Sequence, residues 1–171
     1  MTAKPHRRYL MWAILISLSA CSSKTQFTPT KTAPDTSSDM DKARQTLMAY
    51  FDELNKGEFQ SAASRFGGNL SMLADWNADV NPSDPAALFQ AACARQLQCL
   101  PIRSIVSARQ ANDVAFDFSV EFSQPDGSLF VLGPCCGANE TDMPPVSQFD
   151  CSVVKSSEDD YKVMCLPVYV P

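Results

Sequence analysis

The sequence predicts an α+β fold, with N-terminal helices packed on a curved antiparallel sheet of four to five strands and stapled by disulfides. Three observations predict it. Apolar residues recur at helical spacing from Ala43 to Leu97. The period shortens to two after Pro101, most clearly over Val114–Ser123. Six cysteines, Cys93, Cys99, Cys135, Cys136, Cys151 and Cys165, lie in the second half of the chain. Helices first and a meandering sheet afterwards is the α+β order. The roughly 130 residues concerned are enough to bury about two-thirds of their extended surface in one core, so residues 40–171 are expected to form one domain.

Each element has its own signal. Ser38 followed by Asp41 reads as a helix N-cap with an acid in the first turn, and Ala43, Leu47, Tyr50, Phe51 and Leu54 then form one stripe that Gly57 ends. Phe59, Ala62, Ala63 and Phe66 continue as a second short helix closed by Gly67-Gly68. Leu70 to Val80, with Leu73 and Trp76, reads as a third. Ser83-Asp84-Pro85 starts a fourth, because proline suits the first helical position; Leu88, Phe89, Ala92, Cys93, Gln96 and Leu97 share its stripe until Pro101.

Ile102 to Arg109 is expected as a strand and Asn112-Asp113 as a turn. In Val114–Ser123 the residues Val114, Phe116, Phe118, Val120 and Phe122 alternate with Ala115, Asp117, Ser119, Glu121 and Ser123, the pattern of a sheet with one face on the core and one in water. Gln124-Pro125-Asp126-Gly127 is a turn by composition, leading to a strand at Ser128 to Leu132. Gly133 to Ser147, with Pro134, Pro144 and Pro145, is expected to be irregular. A last hairpin pairs Phe149–Lys155 with Tyr161–Val168 around the acidic turn Ser156 to Asp160, which sets Cys151 opposite Cys165 and Val153 opposite Val163.

The segment Leu47 to Phe66, with its helix ending at Asn55-Lys56-Gly57-Glu58-Phe59, resembles the opening of NTF2-like (cystatin-like) domains. That resemblance implies a curved sheet wrapped round a long helix to form a cone. The family includes small-molecule enzymes, binding modules and exported lipoproteins, and its enzymes often use an Asp-His pair lining the cone. The only histidine here, His6, lies in the leader, so such an activity is not expected.

That leader is the second resemblance. Leu18-Ser19-Ala20-Cys21 resembles the lipobox of bacterial lipoproteins, preceded by the basic Lys4, Arg7 and Arg8 and the short apolar run Leu10–Leu18. The run is short of the roughly 20 residues that a membrane span needs. The resemblance implies cleavage after residue 20, a diacylglyceryl group on the Cys21 sulfur and often an acylated (palmitate-type) amino terminus. Two or three acyl chains hold a protein stably on a bilayer, at about 0.8 kcal/mol per buried methylene. The domain then faces the periplasm or exterior from the cell membrane or outer membrane; Ser22, not the Asp of inner-membrane sorting rules, makes the outer one the default in a two-membrane host. Residues 21–39, rich in Ser, Thr, Pro and Lys, are expected to be a flexible tether, with an r.m.s. reach of roughly 20 to 25 Å.

Cleavage removes three of the 14 basic residues and none of the 19 acidic ones, leaving an excess of eight acids. Such a domain gains nothing from counterion release on nucleic acid, so DNA and RNA are not expected partners. It has no charge attraction to anionic lipid either, which leaves membrane attachment to Cys21. Without histidine, Ser-His-Asp and Cys-His triads and histidine zinc sites are excluded from the mature chain. No catalytic residue, cofactor or metal ligand set is assigned.

In an exported chain the six remaining cysteines read as three disulfides, with fifteen possible pairings. Cys93 and Cys99 are about 9 Å apart along an intact helix and bond only if it unwinds before Pro101. Cys135 and Cys136 are expected to join Cys151 and Cys165, closing the proline-rich loop onto the hairpin; loop closure of about 15 residues stabilises by roughly 3 kcal/mol. The competing reading is a thiol-disulfide or metal-handling protein using Cys135-Cys136. A four-thiolate zinc site usually shows pairs spaced by two to four residues, which are missing here.

Other candidates have plainer readings. Asp117 and Glu121 lie about 13 Å apart along a strand, too far for a carboxylate pair of the glycosidase type, and read as a wet sheet face. Glu158-Asp159-Asp160, with Asp150, lacks the ligand spacing of a calcium loop. Trp76, Phe89 and the Phe116–Phe122 stripe either line a pocket or pack a core, and packing is the commoner use. The expected function is therefore a non-catalytic binding or interaction module, with a protein or a small apolar ligand as partner.

Overall fold

The computed structural model describes residues 36–170. The expected leader and lipobox, with Cys21, and residues 22–35 of the expected tether lie outside them. Helix α1 runs Thr36–Lys56, so residues 36–39 are helical rather than tether and Ser38 is inside the helix, not at its cap. Its stripe Ala43, Leu47, Tyr50, Phe51 and Leu54 is buried. Gly57, at φ +78, ends it: its N–H donates to the Leu54 carbonyl and the Glu58 N–H to the Glu53 carbonyl. That bond pair is the Schellman motif, which favours glycine because a β-carbon is strained at positive φ.

Helix α2 (Phe59–Arg65) is followed by a close approach of Phe66 and Gly67 to Val163, where the Gly67 N–H donates to the Val163 carbonyl at 2.9 Å. Helix α3 (Ser71–Trp76) is shorter than the expected Leu70–Val80 segment. Asn77 halts it and is buried, its side chain donating to the Leu73 carbonyl at 3.0 Å and accepting from Arg95 at 3.2 Å. Helix α4 (Pro85–Arg95) has Asp84 as its cap, accepting from the Ala87 N–H, with Pro85 opening the first turn.

Here the structure corrects the sequence reading. Leu97 is not on the helix but in strand β1 (Leu97–Gln98), which pairs antiparallel with β6 (Val168–Tyr169). The partner of Leu97 is Tyr169, beyond any local pattern. Ending α4 early also brings the Cys93 and Cys99 Cα atoms to 5.5 Å, and they form a disulfide.

The main sheet is antiparallel in the order β2-β3-β4-β5, made of Ile102–Gln110, Ala115–Phe122, Phe149–Ser157 and Asp160–Val163. In β3 the alternation holds: Phe116, Phe118, Val120 and Phe122 are buried, and only Val114, before the strand, is exposed. They meet Cys151 and Val153 of β4, Tyr161 and Val163 of β5, and the buried faces of α1 and α4 in one core. The expected hairpin register is observed, with Val153 opposite Val163 and Lys155 opposite Tyr161. The expected strand at Ser128–Leu132 reduces to two isolated bridges, Ser123 to Leu129 and Leu132 to Val146.

Candidate functional site

At one end of the core the packing is incomplete. Phe51 of α1, Val120 and Phe122 of β3, Leu132 of the loop between β3 and β4, Phe149 and Cys151 of β4, and Leu166, Val168 and Tyr169 of the C-terminal segment line an open-sided cavity of about 390 Å³. Its volume lies within the usual range for small-molecule pockets, and its lining is mainly aliphatic and aromatic. Asp150 is its only titratable neighbour apart from Tyr169, and Gln148 the one side-chain amide. β5 ends at Val163, and the chain leaves the main sheet and pairs with β1 as β6, so the C-terminal segment forms one wall of the cavity. Trp76 packs on Tyr169 with ring centres 4.9 Å apart, supporting the rim from outside.

Cys151 and Cys165 fix that wall. They are disulfide-bonded with Cα atoms 5.3 Å apart, tying the segment after β5 to the first part of β4. This overturns the expected pairing of Cys135 and Cys136 with Cys151 and Cys165. Those two are free thiols, Cys135 half-buried and Cys136 exposed, in the loop between the Leu132–Val146 bridge and its turn. The Cys136 Sγ donates to the Cys135 Sγ at 2.9 Å. That bond, with partial burial, pushes the Cys135 thiol above its ordinary range.

The carboxylates considered as catalytic candidates are occupied. Asp117 accepts from Arg109 at 2.7 Å and from the Ser152 hydroxyl at 2.8 Å, and Glu121 accepts from the Ser104 hydroxyl at 2.8 Å. In the hairpin turn Asp159 pairs with Lys42 at 2.6 Å and Asp160 with Lys162 at 3.0 Å. Asp150 is on β4, at the far end of the strand from that turn. Among the described residues no three His, Cys, Asp or Glu side chains converge to hold a metal ion.

No protein-family model and no curated protein matches the chain.

Of the aromatic candidates, Phe89 and Phe116 are core, whereas Phe122 lines the cavity. Sequence reading did not single out Leu132, Leu166 or Tyr169 as lining residues. Pro167 was the available signal, since it cannot donate a ladder hydrogen bond and lowers the case for one uninterrupted strand Tyr161–Val168.

Proposed function

We propose that the chain is an exported lipoprotein, anchored by acyl groups on Cys21, whose NTF2-like domain binds a small apolar ligand without catalysing a reaction on it. The observation that carries this reading is the cavity framed by Phe51, Val120, Phe122, Phe149 and Leu166: apolar, with no nucleophile and base brought together at it. Its position between the long helix and the sheet is where a cone-shaped domain would hold a ligand. No helix among the described residues is long and apolar enough to cross a membrane.

The test uses a neutral probe, N-phenyl-1-naphthylamine, because an anionic dye would be repelled by the acidic mature chain. The full-length protein should enhance its fluorescence saturably, and Leu166→Trp, which fills the cavity from a half-buried position, should abolish the enhancement with little change in Tm. Unchanged probe binding in Leu166→Trp would remove the cavity as the site. The anchor is tested separately, by the mass of the N-terminal peptide: it should begin at Cys21 and carry acyl groups.

A further inference from the structure

The loop that the structure leaves outside the disulfide framework gathers sulfur. Three features place it there. The Leu132 and Val146 backbones exchange hydrogen bonds of 2.8 and 2.9 Å, which pin both ends of the loop. Cys135 to Ala138 then form a tight turn, the Ala138 N–H donating to the Cys135 carbonyl at 3.0 Å, with Cys136 at φ 60 and Gly137 at φ 84. Positive φ at both central positions is the type I′ turn, in which Gly, Asn and Asp are the favoured residues. Cys136 is the one residue other than glycine with positive φ among those described. A residue with a β-carbon in a conformation that disfavours it suggests that the position serves the side chain rather than the turn.

A second turn returns the chain. The Asn139 side-chain oxygen accepts from the Thr141 and Asp142 N–H groups, and the Met143 N–H donates to the Asn139 carbonyl at 2.9 Å. Met143 thus folds back on the first turn, and its Sδ accepts from the Cys135 N–H at 3.4 Å. The two thiols line an open groove of about 700 Å³ together with Phe130, Val131, Leu132 and Val170, and the Met143 thioether reaches the backbone of the first of them.

We propose that Cys135, Cys136 and Met143 bind copper(I). Thiolate and thioether donors are soft and select a soft cation, and three sulfurs suit the low coordination number of a d¹⁰ monovalent ion. Zinc would require a fourth ligand, normally His, Cys or a carboxylate, and no third such residue converges here among those described. The step balances without electron transfer: the two S–H bonds release their protons to solvent, three sulfur–copper bonds form, and copper enters and remains as copper(I). In the metal-free state one thiol donates to the other, so the two sulfurs already face each other and need only move apart to admit the cation. The site stands on a different groove from the apolar cavity and does not depend on that reading.

The experiment is anaerobic titration of the intact protein, with both structural disulfides in place and Cys135 and Cys136 each shown free by peptide mapping after alkylation, against the copper(I) complex of bicinchoninate. The protein should withdraw one equivalent of copper(I) and protect Cys135 and Cys136 from iodoacetamide. Met143→Leu should weaken uptake by about ten-fold or more, on the scale of the losses seen when even supporting groups at a metal site are removed. Cys135→Ser/Cys136→Ser, a change confined to a surface loop, should abolish uptake while circular dichroism stays that of the parent. Uptake undiminished in the double serine variant, no uptake by protein with both thiols free, or isolation of the native protein with Cys135 and Cys136 bridged to each other would overturn the proposal.

Discussion

Tyr50 has a buried hydroxyl with no hydrogen-bond partner, the one such side-chain group among the described residues. Its ring earns the position by packing against Phe51, Phe66 and Phe89 with centres 5.0 to 6.1 Å away. The hydroxyl adds only a desolvation cost, which also raises its pKa well above the ordinary tyrosine value. Tyr50→Phe should therefore stabilise the domain by about 1 kcal/mol in urea unfolding; a loss of stability would mean that the hydroxyl has a partner such as a buried water. Asp39 is the opposite case, since both its oxygens are used: it accepts from Lys155 at 2.7 Å and from the Tyr161 hydroxyl at 2.8 Å, joining the first turn of α1 to the hairpin. The bonds from Lys155 and Tyr161 hold the Asp39 carboxyl below its usual range, while burial and the bond to Asp39 push Tyr161 up to about 12. The signs give two limbs. Stability from Asp39 is full above the ordinary Asp pKa and is lost as pH falls through the lowered folded value; stability from Tyr161 is full below about pH 10 and is lost as pH rises towards 12. Tyr161→Phe should lower stability at neutral pH and flatten the alkaline limb relative to the parent, as measured by urea unfolding from pH 7 to 11. An identical alkaline slope in the two proteins would show that Tyr161 does not titrate as its surroundings dictate.

Two glycines at the ends of elements differ in what they require. At Gly57 a β-carbon would meet only the Phe59 ring at 3.8 Å, so space is available and the positive φ is the obstacle. Gly57→Ala should cost about 1 kcal/mol, the penalty of placing an ordinary residue in the left-handed region. At Gly67 a β-carbon would lie 2.6 Å from the Lys162 Cβ and 3.1 Å from the Met164 Sδ, so the contact between the end of α2 and β5 must open. Gly67→Ala should accordingly lower Tm more than Gly57→Ala, and a smaller effect would mean that this seam yields without strain. The same contrast between local and distant causes decides which elements the sequence disclosed. Gly57, Asp84-Pro85 and the alternation of β3 act within a few residues, and each element they announce is found. The end of α4 is set by pairing of Leu97 with Tyr169, and the loss of the Ser128–Leu132 strand by the Leu132–Val146 bridge, both of which depend on residues far along the chain. Cys135 and Cys136 were misread for a different reason, since the hairpin register legible in the sequence already set Cys151 opposite Cys165. Counting six cysteines presumes that all pair, whereas Cys151 and Cys165 are brought together by the hairpin register itself and leave the vicinal pair without partners. The cavity was legible only as a choice between core and pocket, because an apolar stripe has the same composition whether or not the opposing wall is complete.

Over the whole domain, the two disulfides act at different places: Cys93–Cys99 closes the end of α4 beside β1, and Cys151–Cys165 holds the cavity wall. The second therefore links stability to ligand access. The segment after β5 contains Leu166 and Pro167, lies outside any regular strand until β6, and is fastened to the main sheet at Cys165. Without the bond, β1–β6 pairing over two residues, the Val170 N–H bond to the Gln96 carbonyl, and the packing of Leu166 on the core and of Tyr169 on Trp76 would have to hold that wall. A bridge across 14 residues is worth about 3 kcal/mol through the unfolded chain, a substantial share of the 5–15 kcal/mol typical of a domain. Cys151→Ala/Cys165→Ala should thus lose about 3 kcal/mol in urea unfolding and also bind N-phenyl-1-naphthylamine more weakly under conditions where it remains folded. Cys93→Ala/Cys99→Ala should lose stability while weakening probe binding less, because its loop reaches the cavity only through the pairing of β1 with β6. Comparable weakening in both variants would indicate that probe binding follows global stability, and would detach the Cys151–Cys165 bond from the shape of the cavity wall.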